Sequence, residues 1–163
     1  MKRFHTIATL ALIFVLPLAM IGCSSNGQKN GETAESPKPA TDAEGLELTT
    51  TNSGLRYADL VEGQGAEATN GTRVKVHYTL WLDNGGEKGQ RIQSSKDSNR
   101  PFPFTVGQQG LIQGWNEGML GMKQGGTRRL YIPSNIGYGQ RGMPPAIPPN
   151  ADLIFEIELL EIL

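Results

Sequence analysis

The side chains with the greatest potential for ligand chemistry in this sequence are aromatic and aliphatic, not ionisable. They fall in segments that alternate with a period of two or recur with helical spacing, so a sheet, a helix and loops could bring them together. Such a set could line an apolar pocket with a few polar tips, or it could simply form a packed core. Its members are Tyr78, Phe102, Phe104, Leu111, Ile112, Trp115, Tyr138 and Phe155.

The ionisable residues offer little conventional catalysis. The carboxylates are scattered, without the spacing of a coupled acid and base pair. Beyond the N-terminal segment the only histidine is His77, and the only cysteine is Cys23, so multi-histidine and cysteine-based metal sites are excluded. Residues 137–142 match the G-x-G-x-x-G dinucleotide pattern, but prolines follow where the motif requires a helix. We therefore expect no metal, nucleotide or other cofactor.

The charge balance excludes a nucleic-acid partner. The 163 residues include 15 basic and 16 acidic side chains, for a formal net charge of −1. No block of like charge interrupts this balance, so the chain has no field that would attract a polyanion. The length fits one ordinary domain with accessory segments.

The N-terminus is typical of an export signal. Lys2 and Arg3 give it a positive start, and residues 7–21 form a largely apolar run. The run is short and leads into a polar stretch, which favours a secretory signal over residues 1–22 instead of a membrane-spanning helix.

The apolar run ends in a pattern that resembles the lipobox of bacterial lipoproteins. Gly22 directly precedes Cys23, while Met20 stands where that motif usually has leucine. The resemblance implies that Cys23 carries acyl chains such as palmitate, which would anchor the mature protein to a membrane. An incidental free thiol is the alternative. Ser24 replaces the aspartate associated with inner-membrane retention, so we expect an exported protein at the outer membrane, facing the periplasm, if there are two membranes.

Composition divides the chain into three parts. Residues 24–45 contain no large apolar side chain, so they cannot form a core and are predicted to be a disordered tether. The predicted parts are a signal peptide at 1–22, the lipidated cysteine with its tether at 23–45, and a folded domain at 46–163.

The clearest strand of the domain is predicted at residues 72–82. Apolar and polar side chains alternate there, as in a strand with one buried face. Tyr78 therefore faces inward, whereas His77 faces solvent and is interpreted as structural. The inward set is Val74, Val76, Tyr78, Leu80 and Leu82.

A short helix is predicted around Trp115. Gly114 and Gly118 each cost about 1 kcal/mol relative to alanine in a helix interior, so the helix needs support from its surroundings. The same glycines lie four residues apart and would let a sheet approach closely, with Trp115 in the seam. A plain core tryptophan is the alternative. The apolar residues at three- and four-residue steps are Leu111, Ile112, Trp115, Met119 and Met122.

The remaining elements complete an α+β domain of antiparallel strands with one short helix. Pro103 cannot donate to a strand ladder, which places its strand at an edge. Residues 83–89 are predicted to form a turn and residues 91–102 an irregular polar segment. The other strands are predicted at 55–61, 102–106, 127–132 and 153–163.

A series of short motifs runs through the domain in unbroken order. They are VHYT at 76–79, SS at 94–95 with Asp97, RPFPF at 100–104, VGQQGLIQGW at 106–115, EG at 117–118, YG at 138–139 and IPPNA at 147–151. Over residues 54–163 they resemble the FK506-binding-protein (FKBP) class of peptidyl-prolyl cis/trans isomerases. This resemblance implies a curved antiparallel sheet of five to six strands wrapped around the short helix.

The resemblance also implies a substrate pocket. Trp115 would form its floor beneath the substrate proline ring, and the Ile112 N–H and the Tyr138 hydroxyl would donate to substrate carbonyls. Gln93 stands where the family usually has aspartate. Ile92 stands where the family has phenylalanine, and Ile147 belongs to an overhanging loop. The implied walls are Tyr78, Phe102, Leu111, Ile112 and Phe155.

The implied reaction is rotation about X-Pro bonds in exported proteins. Its partners would be proline-containing polypeptides, with FK506-like macrolides as candidate competitors. A dry apolar pocket would favour the twisted amide, which has lost its resonance and much of its charge separation. Two alternatives stay open: a binding module or holdase chaperone with weak or no turnover, and a structural lipoprotein with a vestigial pocket.

Overall fold

The structure is a computed structural model that describes residues 40–163. The predicted signal peptide, Cys23 and most of the predicted tether lie outside the described residues. The described chain contains eight strands and one α-helix. In chain order they are β1 (Ala40–Thr41), β2 (Glu47–Thr50), β3 (Arg56–Val61), β4 (Arg73–Asp83), β5 (Lys88–Ser94), β6 (Phe102–Thr105), α1 (Gln113–Met119), β7 (Thr127–Ile132) and β8 (Leu153–Ile162).

The strands form one antiparallel sheet in the order β1-β2-β3-β7-β8-β4-β5. The long strand β4 pairs with β8 along one side, and on its other side it pairs first with β6 and then with β5. Six of the strands lie between residues 56 and 162, which agrees with the predicted number. The prediction of an antiparallel sheet with a single short helix is confirmed.

Strand β5 was not predicted. The sequence predicts a turn and an irregular segment over these residues, Lys88–Ser94, because Ile92 is the only large apolar side chain among them. The strand forms through its ladder with β4, which pairs Leu80 with Gln93 and Thr79 with Ser94. Tertiary pairing therefore overrides a weak local preference.

The helix is held against the sheet through its two glycines. A Cβ added at Gly114 would lie 2.5 Å from a methyl carbon of Ile132, and one added at Gly118 would lie 2.5 Å from a methyl carbon of Leu130. Both partners belong to β7 and are buried. The predicted close approach of a sheet is thus present. The helix is shorter than the apolar pattern, since Leu111 and Ile112 precede it and Met122 follows it.

An N-terminal hairpin covers part of the sheet. Strand β1 pairs with β2, and between them Asp42 accepts hydrogen bonds from Arg129 Nη1 (3.0 Å) and the Tyr131 hydroxyl (2.6 Å). The side chains of Asp42 and Arg129 are only 1% and 5% exposed. Residues 40–45, which the sequence assigns to the tether, thus belong to the folded part. Amino-acid composition does not predict this, because residues 40–45 are held to the sheet by the hydrogen-bonded contacts of the charged Asp42 and not by large apolar side chains.

Within residues 40–163, no helix combines the length and apolar character needed to cross a membrane.

Candidate active site

Trp115 is the centre of an aromatic cluster. Its ring is stacked with Phe104, Phe155 and Phe102 at centroid distances of 5.3, 5.4 and 5.6 Å, and Tyr78 meets it edge-on at 5.3 Å. Aromatic pairs in these arrangements add about 0.5–1.5 kcal/mol each beyond their buried area, so the indole is held firmly. Only 5% of Trp115 is exposed.

A small pocket opens above this indole. Its volume is about 90 Å³. This is small for a ligand site, so the pocket itself matches the size of a single small ring. Trp115 Nε1 is buried and has no hydrogen-bond partner among the described residues. The polar N–H of the pocket floor is therefore not bonded to a neighbouring protein group. The lining consists of Tyr78, Leu80, Gln93, Gly110, Leu111, Ile112, Trp115, Tyr138 and Phe155.

Most of the residues predicted for the site meet in this pocket, but four do not. Phe102 and Phe104 are outside its lining and stack on Trp115. Ile92 and Ile147 line a separate, neighbouring groove. The residues that the pocket brings together are Tyr78, Gln93, Leu111, Ile112, Trp115, Tyr138 and Phe155.

Two pocket residues were not predicted. Leu80 lies two positions after Tyr78 on β4, so the period-two pattern contained the signal needed to find it. Gly110 adopts a φ of 100°, a region that favours glycine, in the turn that leads to Leu111. Spacing alone carried no sign of that turn.

Strand β4 presents Tyr78, and the paired serines fix its backbone. Ser95 Oγ accepts a hydrogen bond from the Tyr78 N–H (2.9 Å), and Ser94 Oγ donates to the Tyr78 carbonyl (3.1 Å). His77 Nδ1 lies 2.9 Å from Ser95 Oγ, which gives this histidine a structural role in the same network. The serines therefore hold the tyrosine in register at the pocket wall.

Tyr138 lies on the long loop between β7 and β8, which is closed at its base. The Ser134 N–H donates to Asp152 Oδ1 (2.7 Å), and the Asn150 N–H donates to the Gly139 carbonyl (2.8 Å). The first bond joins the two ends of the loop, and the second ties Gly139, next to Tyr138, to its C-terminal end. Tyr138 is thus carried on a braced segment, although the segment contains no regular strand.

The ionisable groups at the pocket are two tyrosine hydroxyls. Burial raises the pKa of Tyr138 above its ordinary value of 10, and burial together with the proximity of Tyr138 raises the pKa of Tyr78. Both hydroxyls are therefore protonated and able to donate at neutral pH. No carboxylate is among the residues that line the pocket, and Gln93 contributes an uncharged amide. Among residues 40–163, no group of three or more acidic, histidine or cysteine side chains is arranged to hold a metal ion.

These groups predict a flat pH profile. We expect kcat/KM for an X-Pro peptide to change by less than about twofold between about pH 6 and 9, because no lining group titrates there. Activity should fall only as the pH rises past the elevated tyrosine pKa values. Stopped-flow assays with a pH-insensitive reporter would test this, and a bell-shaped profile centred near neutrality would contradict it.

Comparison with known proteins agrees with this geometry. Residues 64–160 match the family described as FKBP-type peptidyl-prolyl cis-trans isomerase. The chain is 50% identical over 109 residues to an FK506-binding protein of Neisseria meningitidis serogroup B, covering 67% of this chain and 96% of that protein. It is 46% identical over 96 residues to the mouse peptidyl-prolyl cis-trans isomerase FKBP2, covering 59% of this chain and 66% of that protein.

Solved structures show the same likeness. The crystal structure of AtFKBP13 superposes with a TM-score of 0.66 at 34% identity and covers 72% of this chain and 100% of its own. The crystal structure of FkpA from Escherichia coli gives a TM-score of 0.62 at 34% identity, covering 71% of this chain and 51% of its own.

Proposed function

Because this chain belongs to the FKBP-type peptidyl-prolyl cis-trans isomerase family, we propose that the Trp115 pocket is where it catalyses rotation about X-Pro bonds. Peptidyl-prolyl isomerisation is the activity of the chain, and its partners are proline-containing polypeptides. The single observation that carries the assignment to this pocket is a small hollow on a buried indole, lined by the tyrosines and the segment that precedes α1.

The mechanism follows from amide resonance. Resonance makes the planar X-Pro bond dipolar and gives a rotation barrier of about 18–20 kcal/mol. At 90° of twist the resonance is lost, so the carbonyl is less polarised and the prolyl nitrogen is more basic. An apolar, dry pocket therefore accommodates the twisted state better than the planar one.

The energy required of the pocket is modest. Raising a step from roughly 0.01 per second to a few hundred per second requires about 6 kcal/mol, at about 1.4 kcal/mol per decade. Trp115 would support the proline ring, and the Ile112 N–H and the Tyr138 hydroxyl would hold the carbonyls that flank it. Ile112 caps the N-terminal end of α1, so its N–H lies outside the hydrogen-bond ladder of the helix. No nucleophile is needed.

A protease-coupled assay with an X-Pro tetrapeptide tests this assignment. The full chain should accelerate cis-to-trans conversion, and an FK506-like macrolide should suppress the acceleration by filling the pocket. Turnover that persists unchanged at saturating macrolide would place the reaction elsewhere on the molecule.

Gln93 favours a second candidate function, a binding module or holdase with weak turnover. Its amide lines the pocket where the family resemblance leads us to expect a carboxylate, so one polar contact of the site differs. Peptide binding that depends on the pocket, in the absence of measurable isomerisation, would distinguish this candidate from the isomerase.

Gln93→Asp is predicted to raise kcat/KM by about three- to tenfold, about 0.7–1.4 kcal/mol. A carboxylate accepts a hydrogen bond from a hydroxyl donor, such as the tyrosines that share the pocket lining, more strongly than an amide does. Gln93 is exposed on β5, so the change should leave stability nearly unaltered. The variant Gln93→Asn controls for side-chain length, and an unchanged rate in Gln93→Asp would remove the holdase argument.

We further propose that the protein is exported and anchored to a membrane through lipid on Cys23, where it would act on exported polypeptides. The support is the sequence alone: a positive start, an apolar run, and Gly22 before the only cysteine. Metabolic labelling with a radioactive fatty acid should label the wild-type chain and not Cys23→Ser. The cysteine variant should also leave the membrane fraction, and its retention there would contradict the proposal.

A further inference from the structure

The N-terminal hairpin, residues 40–50, covers an apolar face of the sheet. Tyr131 of β7 pairs with Ile154 of β8, and both belong to a cluster that is separate from the core around α1. Directly paired residues of antiparallel strands point to the same face of a sheet. Leu48 of the hairpin is buried in this second cluster, and Leu46 packs against it. The hairpin therefore hides apolar surface on the face opposite to the helix.

Few backbone bonds hold the hairpin to the rest of the sheet. Strand β1 pairs only with β2, and β2 pairs with β3 only at Thr49 and Thr50. The hairpin also lies outside residues 64–160, the part of the chain that matches the isomerase family. Segments with few buried contacts open locally at a lower free energy than the core does. The attachment of the hairpin thus depends largely on its side chains.

The buried carboxylate of Asp42 is the main attachment. Its Oδ2 atom accepts hydrogen bonds from Arg129 Nη1 and from the Tyr131 hydroxyl. Arg129 makes five hydrogen bonds, and a second one goes to the hairpin, to Glu44 at 3.0 Å. Loss of one partner from a buried ion pair is strongly destabilising, because the other charge stays buried without compensation. Asp42 therefore acts as the latch of the hairpin.

The other charged groups at this place belong mostly to the sheet. Glu156 accepts a hydrogen bond from Arg129 Nε at 3.0 Å, and Lys88 lies 2.7 Å from Glu156 and 3.7 Å from Glu44. When the hairpin leaves, Arg129 thus keeps one carboxylate partner, and the sheet does not retain an isolated charge. The charged groups that face the latch are Glu44 on the hairpin and Arg56, Asp83, Lys88, Arg129 and Glu156 on the sheet.

The latch is sensitive to acid. Burial acts to raise the pKa of Asp42, but the Tyr131 hydroxyl, two backbone N–H groups and the charge of Arg129 together hold it below the ordinary value of 3.8. A detached hairpin loses the contacts to β7, so the pKa returns towards that value. Ionised Asp42 therefore stabilises the attached state above about pH 3.8, and this stabilisation is lost as the pH falls through the lowered pKa.

We propose that the N-terminal hairpin is a strap that detaches from the sheet as a unit while the rest of the domain stays folded, and that protonation of Asp42 shifts it towards the detached state and uncovers the apolar face. The inference does not depend on the proposed function of the Trp115 pocket, which belongs to the core on the other face of the sheet.

Hydrogen exchange of the full chain, expressed as protection factors, tests the strap. We expect the amides of residues 40–50 to be at least about 100-fold less protected than those of β8 at about pH 6, because they exchange by local detachment. Their protection should fall about fivefold between about pH 6 and 3, since an ordinary pKa of 3.8 limits the effect of Asp42 to about sevenfold at about pH 3. Equal protection of the hairpin and β8, or hairpin protection that does not fall in acid, would overturn the proposal.

Asp42→Asn is the decisive variant. Its amide oxygen can still accept from the backbone N–H groups of Glu44 and Leu46, which bond to Asp42 Oδ1 at 2.9 and 2.8 Å, so the turn is kept and the charge is lost. Hairpin protection at about pH 6 should fall at least about tenfold and then change no more than about twofold down to about pH 3. Wild-type protection, or lower protection with the full acid dependence, would contradict the role of Asp42.

Two further variants complete the comparison. Glu47→Gln removes an exposed carboxylate of the same hairpin and should keep the wild-type protection and its acid dependence. Loss of the acid dependence in Glu47→Gln would refute Asp42 as the acid-sensitive group. Tyr131→Phe keeps the buried ring and removes only the hydroxyl that donates to Asp42, so hairpin protection at about pH 6 should fall about fivefold. If Asp42→Asn does not fold, Tyr131→Phe decides the question, and unchanged hairpin protection in it would overturn the proposal.

Discussion

Trp115→Ala is expected to lower kcat/KM for an X-Pro tetrapeptide by about 100-fold, equivalent to about 3 kcal/mol of transition-state stabilisation. The substitution removes the pocket floor on which the proline ring would rest. It also removes a ring that is stacked with Phe102, Phe104 and Phe155. The free energy of unfolding should therefore fall by about 3–5 kcal/mol, as for other large aromatic truncations in cores.

The measurement must separate these two effects. Rates should be taken at a temperature where circular dichroism shows the variant to be folded and then expressed per folded molecule. Trp81→Ala is the matched control, because Trp81 is the other tryptophan and packs in a separate cluster with Tyr131 and Ile154. It should lower stability and leave kcat/KM within about twofold. Equal losses of kcat/KM in both variants would refute the role of Trp115 as the floor.

Gly118→Val is expected to lower the free energy of unfolding by about 3 kcal/mol. A Cβ at this position would meet the two methyl carbons of Leu130 at 2.5 and 2.6 Å, and Leu130 is fully buried. Even the smaller change to alanine, which normally stabilises a helix interior by about 1 kcal/mol, has to overcome this overlap. Urea denaturation monitored by circular dichroism would measure the difference.

Two comparisons make the result specific. Gln113→Ala lies in the same helix at an exposed position and should change stability by no more than about 0.5 kcal/mol. In a double-mutant cycle of Gly118→Ala with Leu130→Ala, the smaller partner should relieve the overlap and give a favourable coupling energy of about 1 kcal/mol. Strict additivity of the two changes would show that helix and strand are not in the predicted contact.

Local patterns account for the parts of the fold that the sequence predicts well. The period of two in β4 and β8 is dictated by a strand with one buried face, so it can be read without knowledge of the partners. Gly114 and Gly118 are poor choices for an isolated helix, and that cost pointed to the close packing on β7. The motifs between residues 76 and 151 indicated the family because they combine these local patterns in a fixed order.

Long-range contacts account for the parts that the sequence did not predict. Strand β5 has a single large apolar residue and forms because β4 offers a ladder. The N-terminal hairpin is fastened by Asp42 to Arg129, 87 residues away. Neither feature has a local signature, because a hydrogen bond between distant residues leaves no periodicity in the chain.

The sequence by itself determined the type of chemistry: an aromatic set without nucleophile, metal ligands or paired carboxylates, suited to a reaction that breaks no covalent bond. Only the tertiary structure decided how that set is divided. It placed Tyr78, Tyr138 and Trp115 around the small pocket, put Phe102 behind the indole, and turned Ile92 and Ile147 into the adjoining groove. The physical reason is that the type of a side chain fixes what it can bind, whereas its direction depends on strand pairing and loop closure by residues far away in the chain.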